Sequence, residues 1–202
     1  MQRLVLASNN AGKLCEFSNL LAHKNFELVT QASLGIASCS EPHISFVENA
    51  LEKARHAATH SGLAALADDS GICVPTLNGA PGVVSARYAA SLGAGSWSSN
   101  PSLPTDQQNN LALLAQLHEP LTPAYYYCVL VLVRHAKDPQ PIIAQGYWHG
   151  AVQMQAQGSG GFGYDPYFYI ASENQTVAQM SMLKKNQLSH RAQALRALLD
   201  QL

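Results

Sequence analysis

Residues 125–134 constrain the fold most strongly, because they read Tyr-Tyr-Tyr-Cys-Val-Leu-Val-Leu-Val-Arg. Aromatic and β-branched residues in an unbroken run of this length favour a buried strand. A second apolar segment, residues 142–148, follows the turn-forming residues Lys-Asp-Pro-Gln-Pro, and the two segments are predicted to pair across that turn. The chain should therefore contain a sheet that is at least partly antiparallel.

Strand and helix patterns alternate along the rest of the chain. Helices are predicted where apolar residues recur every three or four positions, and strands where short apolar runs end in polar residues. Ser45 and Glu48 have the spacing of a capping box. The predicted strands are residues 4–7, 26–30, 63–67 and 72–74, and the predicted helices are residues 11–22, 45–60, 107–117 and 189–202. This order predicts a mixed α/β fold in which a long central sheet, flanked by helices, extends through two lobes.

The length of 202 residues suits one domain or two small lobes that share a core. Lys and Arg number 12 and Asp and Glu number 13, so the chain lacks the excess positive charge that binds long nucleic acid. No segment approaches the roughly 20 apolar residues of a membrane helix, and the four cysteines form no C-x-x-C pair. We therefore expect a cytoplasmic protein that binds any anionic ligand locally and needs neither a membrane nor long nucleic acid.

The segment Ser8-Asn9-Asn10-Ala11-Gly12-Lys13 joins the first predicted strand to the first predicted helix. Backbone amides and the helix dipole favour an anion at such a junction, and Lys13 could add a positive charge. The spacing is not that of a P-loop. The segment is therefore either a phosphate-binding turn or an ordinary helix cap.

Asp68 and Asp69 follow the apolar residues 63–67 directly, so the two acids are predicted to end a buried strand. Adjacent carboxylates repel each other, and burying them is costly unless a cation offsets their charge. Hard oxygen ligands of this kind suit Mg²⁺, which often takes one or two carboxylates together with water and substrate phosphates. Glu41 could supply a second carboxylate, and the alternative is a solvated turn after a strand.

A glycine-rich loop at residues 158–165 places Phe162 and Tyr164 among glycines. Glycine lets the backbone approach a ligand closely, and an aromatic ring offers a face on which a base could stack. The loop lacks the spacing of a dinucleotide fingerprint. It is therefore either part of a base-binding site or a tight surface loop with one packed ring.

Ser189-His190-Arg191 opens the last predicted helix with cationic side chains, which have the wrong sign for the helix dipole at that end. An anionic or electron-rich partner is expected to compensate. The planar donors of Arg191 suit the oxygen and nitrogen acceptors of a purine, and Lys184 and Lys185 add donors nearby. The alternative is a solvated basic helix end.

Six motifs together resemble the Ham1 family of inosine/xanthosine triphosphate pyrophosphatases, and they occur in that family's order over nearly the whole chain. The resemblance implies a single functional domain over residues 1–202, a homodimer and dependence on Mg²⁺. It also implies hydrolysis of dITP, ITP and XTP to the monophosphate and pyrophosphate. The motifs are Ser8-Asn9-Asn10-Ala11-Gly12-Lys13, Phe46-Val47-Glu48-Asn49-Ala50, Ala67-Asp68-Asp69-Ser70-Gly71, Gly79-Ala80-Pro81-Gly82 with Ser85-Ala86-Arg87-Tyr88, Gly160-Gly161-Phe162-Gly163-Tyr164-Asp165-Pro166, and Ser189-His190-Arg191.

The resemblance also implies residue roles. Asp69 would be the general base and a metal ligand, and Glu41 would be the second metal ligand. The phosphates and sugar would be held by Ser8, Asn9, Asn10, Ala11, Gly12, Lys13, Lys53 and Ser70, and the base by Phe162, Gly163, Tyr164, Asp165, Lys185, His190 and Arg191. Donors from Lys185, His190 and Arg191 would face the 6-oxo group of hypoxanthine or xanthine. Adenine presents a donor at that position, so ATP should be rejected.

Some positions depart from the family pattern. Ser8 stands where Thr is usual and Asn9 where Gly is usual, while Met182-Leu183-Lys184 precedes Lys185 where acidic residues are usual. Two other functions therefore stay open. One is a phosphomonoesterase with an aspartate nucleophile, against which the missing D-x-D motif counts. The other is a nucleotide sensor without turnover, against which the presence of Glu41, Asp69 and Lys13 counts.

Overall fold

The computed structural model describes residues 2–21, 26–93 and 102–202. Most of the predicted loop over residues 93–104 lies outside these ranges. Seven strands and six α-helices occur in the described part of the chain. The strands are β1 (Gln2–Leu6), β2 (Phe26–Thr30), β3 (Ala64–Cys73), β4 (Leu121–Val133), β5 (Ile142–Gln153), β6 (Phe168–Ile170) and β7 (Gln175–Thr176). The helices are α1 (Ala11–Leu21), α2 (Phe46–Ser61), α3 (Tyr88–Ser91), α4 (Thr105–Leu114), α5 (Met182–Leu188) and α6 (His190–Leu199).

The strands form one mixed sheet in the order β2-β1-β3-β4-β5-β6-β7. β1 pairs in parallel with β2 and with β3, so that Leu4 lies opposite Leu28 and Ala64. β5, β6 and β7 pair antiparallel. The predicted mixed α/β class is therefore confirmed, including its antiparallel part.

Two compact units divide the chain, as the two-lobed prediction requires. The first comprises Met1–Asp69, Cys128–Gly146 and Leu188–Leu202, and the second comprises Ser70–Tyr127 and Tyr147–Gln187. The strands β3, β4 and β5 contribute residues to both units. In the described part of the chain, no helix is long and apolar enough to cross a membrane.

The core of the first unit lies where one helix from each end of the chain packs on the sheet. Leu4 and Leu6 of β1 contribute alternate side chains, and Phe17 of α1 and Leu195 of α6 are among the buried residues of the same core. Phe17 is completely buried. The predicted helix over residues 189–202 is confirmed as α6, which ends at Leu199 rather than at the C-terminus.

Helix α2 begins where the sequence predicted. The side chain of Ser45 accepts a hydrogen bond from the backbone N–H of Glu48, which satisfies one donor in the first turn. Gly62 ends the helix with a φ of 69°, a left-handed conformation that glycine adopts without steric cost. The buried face between these caps is mostly alanine, which allows close packing: Ala50, Ala54, Ala57 and Ala58.

The prediction that Asp68 and Asp69 end a strand is wrong. β3 continues through both residues to Cys73, and the two short strands predicted at 63–67 and 72–74 are one. Asp68 is 2% exposed and Asp69 is 4% exposed. Cationic side chains lie against both carboxylates, so the backbone ladder can continue where the local sequence suggested a break.

In the second unit, aromatic side chains pack around Phe168 of β6. The Tyr126 ring lies 4.5 Å from the Phe168 ring, and the Trp148 ring lies 6.2 Å from it, centroid to centroid. β4 begins four residues before its predicted start, and β5 ends five residues after its predicted end. The short elements β6, β7, α3 and α5 were not predicted, because two to seven residues are too few to show a clear periodicity.

A substitution at Gly146 of β5 would test how closely α6 packs against β5 in the first unit. A Cβ atom at this position would lie 2.0 Å from the carbonyl oxygen of His190 and 2.6 Å from the amide nitrogen of Ala194. Both neighbours are backbone atoms of α6 and cannot rotate away. We expect Gly146→Ala to lower the free energy of unfolding by about 1–3 kcal/mol, measured by urea denaturation.

The matched control is Ile143→Thr, three residues away on the exposed face of β5, where the side chain is 38% exposed. This change keeps a β-branched residue and should leave the unfolding free energy within about 0.5 kcal/mol of the parent value. Equal stability of the Gly146→Ala and Ile143→Thr proteins would contradict the close approach of α6 to β5.

Candidate active site

The turn between β1 and α1 is organised by its own side chains. The backbone N–H of Asn10 donates to Ser8 Oγ at 3.2 Å, and the backbone N–H of Lys13 donates to Asn10 Oδ1 at 3.0 Å. Asn10 therefore caps α1, and the binding of phosphate by the same turn stays a prediction. The cap fixes the first turn of the helix, which carries Ala11, Gly12 and Lys13.

Asn9 fixes the same turn from the other side. Its amide donates to Ser38 Oγ at 2.6 Å, and its side-chain oxygen accepts from the Gln31 amide at 3.0 Å. The nitrogen and the oxygen of the Asn9 side chain are therefore both hydrogen-bonded to residues that follow β2.

Asp68 lies at the centre of a buried group of charges, here called the Asp68 cluster and made of Lys13, Glu16, Asp68 and Arg191. Asp68 Oδ2 lies 3.0 Å from Lys13 Nζ and 3.4 Å from Arg191 Nε. Arg191 Nη1 lies 2.5 Å from Glu16 Oε2. The anionic partner that the sequence required for Arg191 is therefore supplied by the protein itself, and Glu16 is the member that sequence reasoning missed.

The Asp68 cluster keeps Asp68 and Arg191 ionised. Burial by itself would raise the pKa of the Asp68 carboxyl, but the charges of Lys13, Arg191 and Lys53 outweigh it and hold that pKa well below the usual range. Burial would likewise lower the pKa of Arg191, and the carboxylates of Glu16 and Asp68 raise it instead. Asp68 is therefore a permanent anion over the physiological pH range.

Lys53 joins the two carboxylates that were predicted to bind metal. Its Nζ lies 2.8 Å from Glu41 Oε1 and 3.0 Å from Asp69 Oδ1. Burial would lower the pKa of Lys53, but the carboxylates of Asp69, Asp68 and Glu41 raise it. The structure thus brings Glu41, Lys53 and Asp69 together, although they are separated in the sequence and lie on three different segments.

Asn49 holds the other oxygen of Asp69. Its amide nitrogen lies 3.4 Å from Asp69 Oδ2 and 3.1 Å from the carbonyl oxygen of His43, while its Oδ1 accepts from the His43 N–H at 3.0 Å. Burial raises the pKa of the Asp69 carboxyl, and Lys53 only partly opposes that rise. Asp69 is therefore an oriented carboxylate with more than usual basicity.

The donor set fits a magnesium ion. Glu41 and Asp69 offer hard oxygen ligands and already share one cation, the Lys53 ammonium, within hydrogen-bond distance. Among the described residues, no three His, Cys, Asp or Glu side chains are grouped so that they could hold a metal. Mg²⁺ does not need a full protein cage, because it keeps water and substrate phosphate among its ligands.

In the second unit, Asp165 organises the glycine-rich loop. Its Oδ2 accepts from the backbone N–H of Phe162 at 3.0 Å and from Lys185 Nζ at 2.7 Å, while its Oδ1 accepts from the Tyr126 hydroxyl at 3.1 Å. Lys185 Nζ also lies 4.7 Å from the centre of the Phe162 ring. The structure therefore brings Phe162, Asp165 and Lys185 together, as the predicted base-binding set requires.

Three further contacts hold the loop at its next two residues. The Tyr164 hydroxyl donates to the carbonyl oxygen of Ser85 at 2.9 Å. The Gly163 N–H donates to Asp106 Oδ2 at 2.8 Å, and Asn110 Nδ2 donates to the Gly163 carbonyl oxygen at 3.0 Å. Sequence reasoning missed Asp106 and Asn110, because the predicted helix began at residue 107 and α4 begins at Thr105.

The remaining predicted residues occupy separate positions. Ser70 is half-buried in β3, in the second unit. His190 is buried at the first position of α6 in the first unit. Ser189 caps that helix by accepting a hydrogen bond from the Ala192 N–H at 3.2 Å.

The mixed α/β fold, with carboxylates and lysines gathered around Asp68 and Asp69, defines a protein of the Ham1 type. The model of the Ham1 family matches residues 4–201, and the chain belongs to that family. A dITP/XTP pyrophosphatase of Nitrosomonas europaea is 51% identical over all of this chain and 95% of its own length. One of Ralstonia nicotianae is 52% identical over all of this chain and 97% of its own length. The solved structure of a Ham1 protein from Coxiella burnetii is 38% identical, covers both chains fully and superposes with a TM-score of 0.84.

The ionised state of Asp68 leads to a prediction about acid stability. Because its pKa is lower in the folded than in the unfolded state, the unfolded state binds more protons below about pH 5, and stability falls there as the pH falls. The contribution is complete above the unfolded pKa of about 4. Asp68→Asn should cost about 3–5 kcal/mol at neutral pH by leaving buried cations without their anion.

Urea denaturation of the parent and the variant between neutral and acid pH checks both statements. The difference in unfolding free energy should shrink as the pH falls below about 5. Asp200→Asn is the control, because Asp200 is an exposed carboxylate at the end of α6. A difference between parent and Asp68→Asn that stays constant with pH would show that Asp68 is not an ionised partner of Lys13 and Arg191.

Proposed function

We propose that this chain hydrolyses dITP, ITP and XTP to the nucleoside monophosphate and pyrophosphate, and so removes them from the nucleotide pool. One observation carries the proposal: Lys53 and Asn49 together orient Asp69 beside Glu41, in a chain of the Ham1 family. The relatives named dITP/XTP pyrophosphatase support the choice of substrates. Residues 1–202 act as one functional domain in this proposal.

Glu41 and Asp69 are the proposed ligands of Mg²⁺. When bound, the ion neutralises charge on the phosphate oxygens and favours pyrophosphate as the leaving group. Lys53 contributes a second positive charge at the same place, and Lys13 contributes one from the first turn of α1. Ser8, Asn9, Asn10, Ala11, Gly12 and Ser70 complete the proposed contacts to phosphate and sugar.

Asp69 is the proposed general base. A water held by its carboxylate attacks the α-phosphorus in line with the α–β phosphoanhydride bond, which breaks and releases pyrophosphate. The proton of the water passes to Asp69 and then to solvent. Burial raises the pKa of Asp69, and a base whose pKa lies closer to the working pH accepts a proton more readily. Lys53 and Asn49 each hold one carboxylate oxygen, which restricts rotation of the group.

The nucleobase is proposed to bind at the glycine-rich loop. The Phe162 ring stacks on the base, while Gly163, Tyr164 and Asp165 shape the loop around it. Lys185 supplies positive charge and a donor for a 6-oxo purine, and His190 and Arg191 are the further donors that the family resemblance implies. Adenine would place its amino group against these donors, and a buried donor without an acceptor costs enough to reject ATP by orders of magnitude.

We also propose that the protein acts in the cytoplasm as a homodimer, which the family resemblance implies. Sedimentation equilibrium should give twice the 21.7 kDa mass of the chain. A mass equal to that of one chain at micromolar concentration would refute the dimer without affecting the proposed reaction.

A turnover assay with ITP, XTP, dITP, ATP and GTP in the presence of Mg²⁺ tests the reaction. The 6-oxo substrates with non-standard bases should release pyrophosphate, and ATP should not. Asp69→Asn should lower kcat by about 10²–10⁴-fold, because an amide cannot accept the proton. Asp200→Asn, which changes an exposed carboxylate, should keep the parent kcat.

Other products would favour the alternatives. Orthophosphate as the first product would indicate a phosphomonoesterase, and tight binding of ITP without any product would indicate a sensor. Full activity of the Asp69→Asn protein would remove Asp69 from the role of general base.

A further inference from the structure

Both backbone polar groups of Gly163, its N–H and its carbonyl oxygen, are held by side chains of α4. Asp106 Oδ2 accepts from the Gly163 N–H at 2.8 Å, and Asn110 Nδ2 donates to the Gly163 carbonyl oxygen at 3.0 Å. We propose that Asp106 and Asn110 are positioning residues for the nucleobase: they hold the glycine-rich loop so that Phe162 and Lys185 present a fixed surface to the base. The inference rests on the proposed function.

The two side chains suit this task because of their place on α4. Residues four apart lie on the same face of a helix, one turn from each other, so an acceptor at 106 and a donor at 110 can bracket a single residue. Asp106 lies in the first turn of α4 and is exposed, whereas Asn110 is 5% exposed. This pair of side chains, here called the Gly163 bracket, therefore has one buried member, Asn110, and one exposed member, Asp106.

The loop needs such support because of its glycines. Gly161 has a φ of +73° and Gly163 a φ of +61°, both in the left-handed region that glycine reaches without steric cost. A Cβ atom on Gly163 would meet no atom within 4 Å, so glycine is required there for conformation and not for space. Glycine loses more conformational freedom on folding than any other residue, and contacts outside the loop must hold it in one conformation.

Phe162 depends on the bracket because it is flanked by these two glycines. Its own N–H is held by Asp165, and Lys185 lies 4.7 Å from its ring centre. Asp165 in turn accepts from Lys185 and Tyr126. Asp165 therefore holds the N–H of Phe162, Asp106 holds the peptide that follows Phe162, and Asn110 holds the next peptide along the loop. Loss of the Asp106 and Asn110 contacts would leave the backbone that follows Phe162 less restrained, and with it the position of the Phe162 ring.

Asn109 provides a matched comparison on the same helix. It is buried like its neighbour Asn110, but its amide donates to the carbonyl oxygen of Ala86 at 3.0 Å and its Oδ1 accepts from the N–H of Ala89 at 2.9 Å. It thus joins α4 to α3 and to the segment before α3, and both of these bonds go to residues outside the glycine-rich loop. Asn109→Ala removes two buried hydrogen bonds from the fold without touching Gly163.

The experiment compares Asp106→Ala, Asn110→Ala and the double variant with Asn109→Ala. We expect each bracket variant to raise KM for ITP about five- to tenfold, the effect of one lost hydrogen bond to the loop, with kcat within about twofold of the parent. Asn109→Ala should lower the melting temperature as much as Asn110→Ala does while leaving KM for ITP at the parent value.

A conservative variant separates the hydrogen bond from the charge. Asp106→Asn loses the negative charge at the start of α4 but keeps an oxygen that can accept from the Gly163 N–H. It should restore KM for ITP to within about twofold of the parent value. If Asp106→Asn behaves like Asp106→Ala, the carboxylate charge matters and the bracket does not.

Equilibrium binding distinguishes failure of this inference from failure of the proposed function. ITP is titrated by calorimetry into the Asp69→Asn protein, with and without Asp106→Ala and Asn110→Ala. Weaker binding in the bracket variants supports the inference even if the parent releases no pyrophosphate. Turnover of ITP by the parent with unchanged KM and Kd in the bracket variants overturns the inference alone. A parent that neither binds nor hydrolyses ITP overturns both.

Discussion

The pairing of Asp68 with Lys13 and Arg191 is the interaction on which the first unit depends. An isolated carboxylate at 2% exposure would be too costly to bury as an anion. Two cations within 3.4 Å offset that cost, and one of them, Arg191, is itself offset by Glu16. The first turn of α1, the middle of β3 and the start of α6 are therefore fixed against one another by charge as well as by apolar packing.

The same interaction explains where the sequence misled us. A local pattern of apolar residues followed by two acids predicts a strand that ends at the acids. The partner that permits burial, Arg191, lies 123 residues further along the chain, and no window of the sequence contains both. Where an element depends on residues that are close together in the sequence, the prediction is confirmed. β2 has the predicted bounds, and Ser45 caps α2 as its spacing indicated.

The residues of the candidate site likewise divide into those that the sequence predicted and those that it did not. The charged and aromatic members could be predicted, because chemistry-bearing residues at motif spacing stand out in a chain with only 12% charged residues. Asn49, Asp106 and Asn110 stand out less, because an amide or acid on a helix has many ordinary uses. Their role depends on which backbone or carboxylate they meet in three dimensions. Only the spacing between Asn49 and Lys53 indicated a shared helix face, since Asp106 lay outside the helix predicted over residues 107–117.

The neutral side chains of Asn49 and Asn110 orient their partners without adding charge to the site. Asn49 restricts the Asp69 carboxylate without adding the full positive charge that would lower its pKa, so the burial of Asp69 can keep that pKa raised. Asn110 holds the Gly163 carbonyl oxygen in a buried position where an unpaired lysine would be costly. In both places, the charged side chains are the ones that would contact the triphosphate, the metal or the base. The neutral amides orient those groups through hydrogen bonds and leave their charge unchanged.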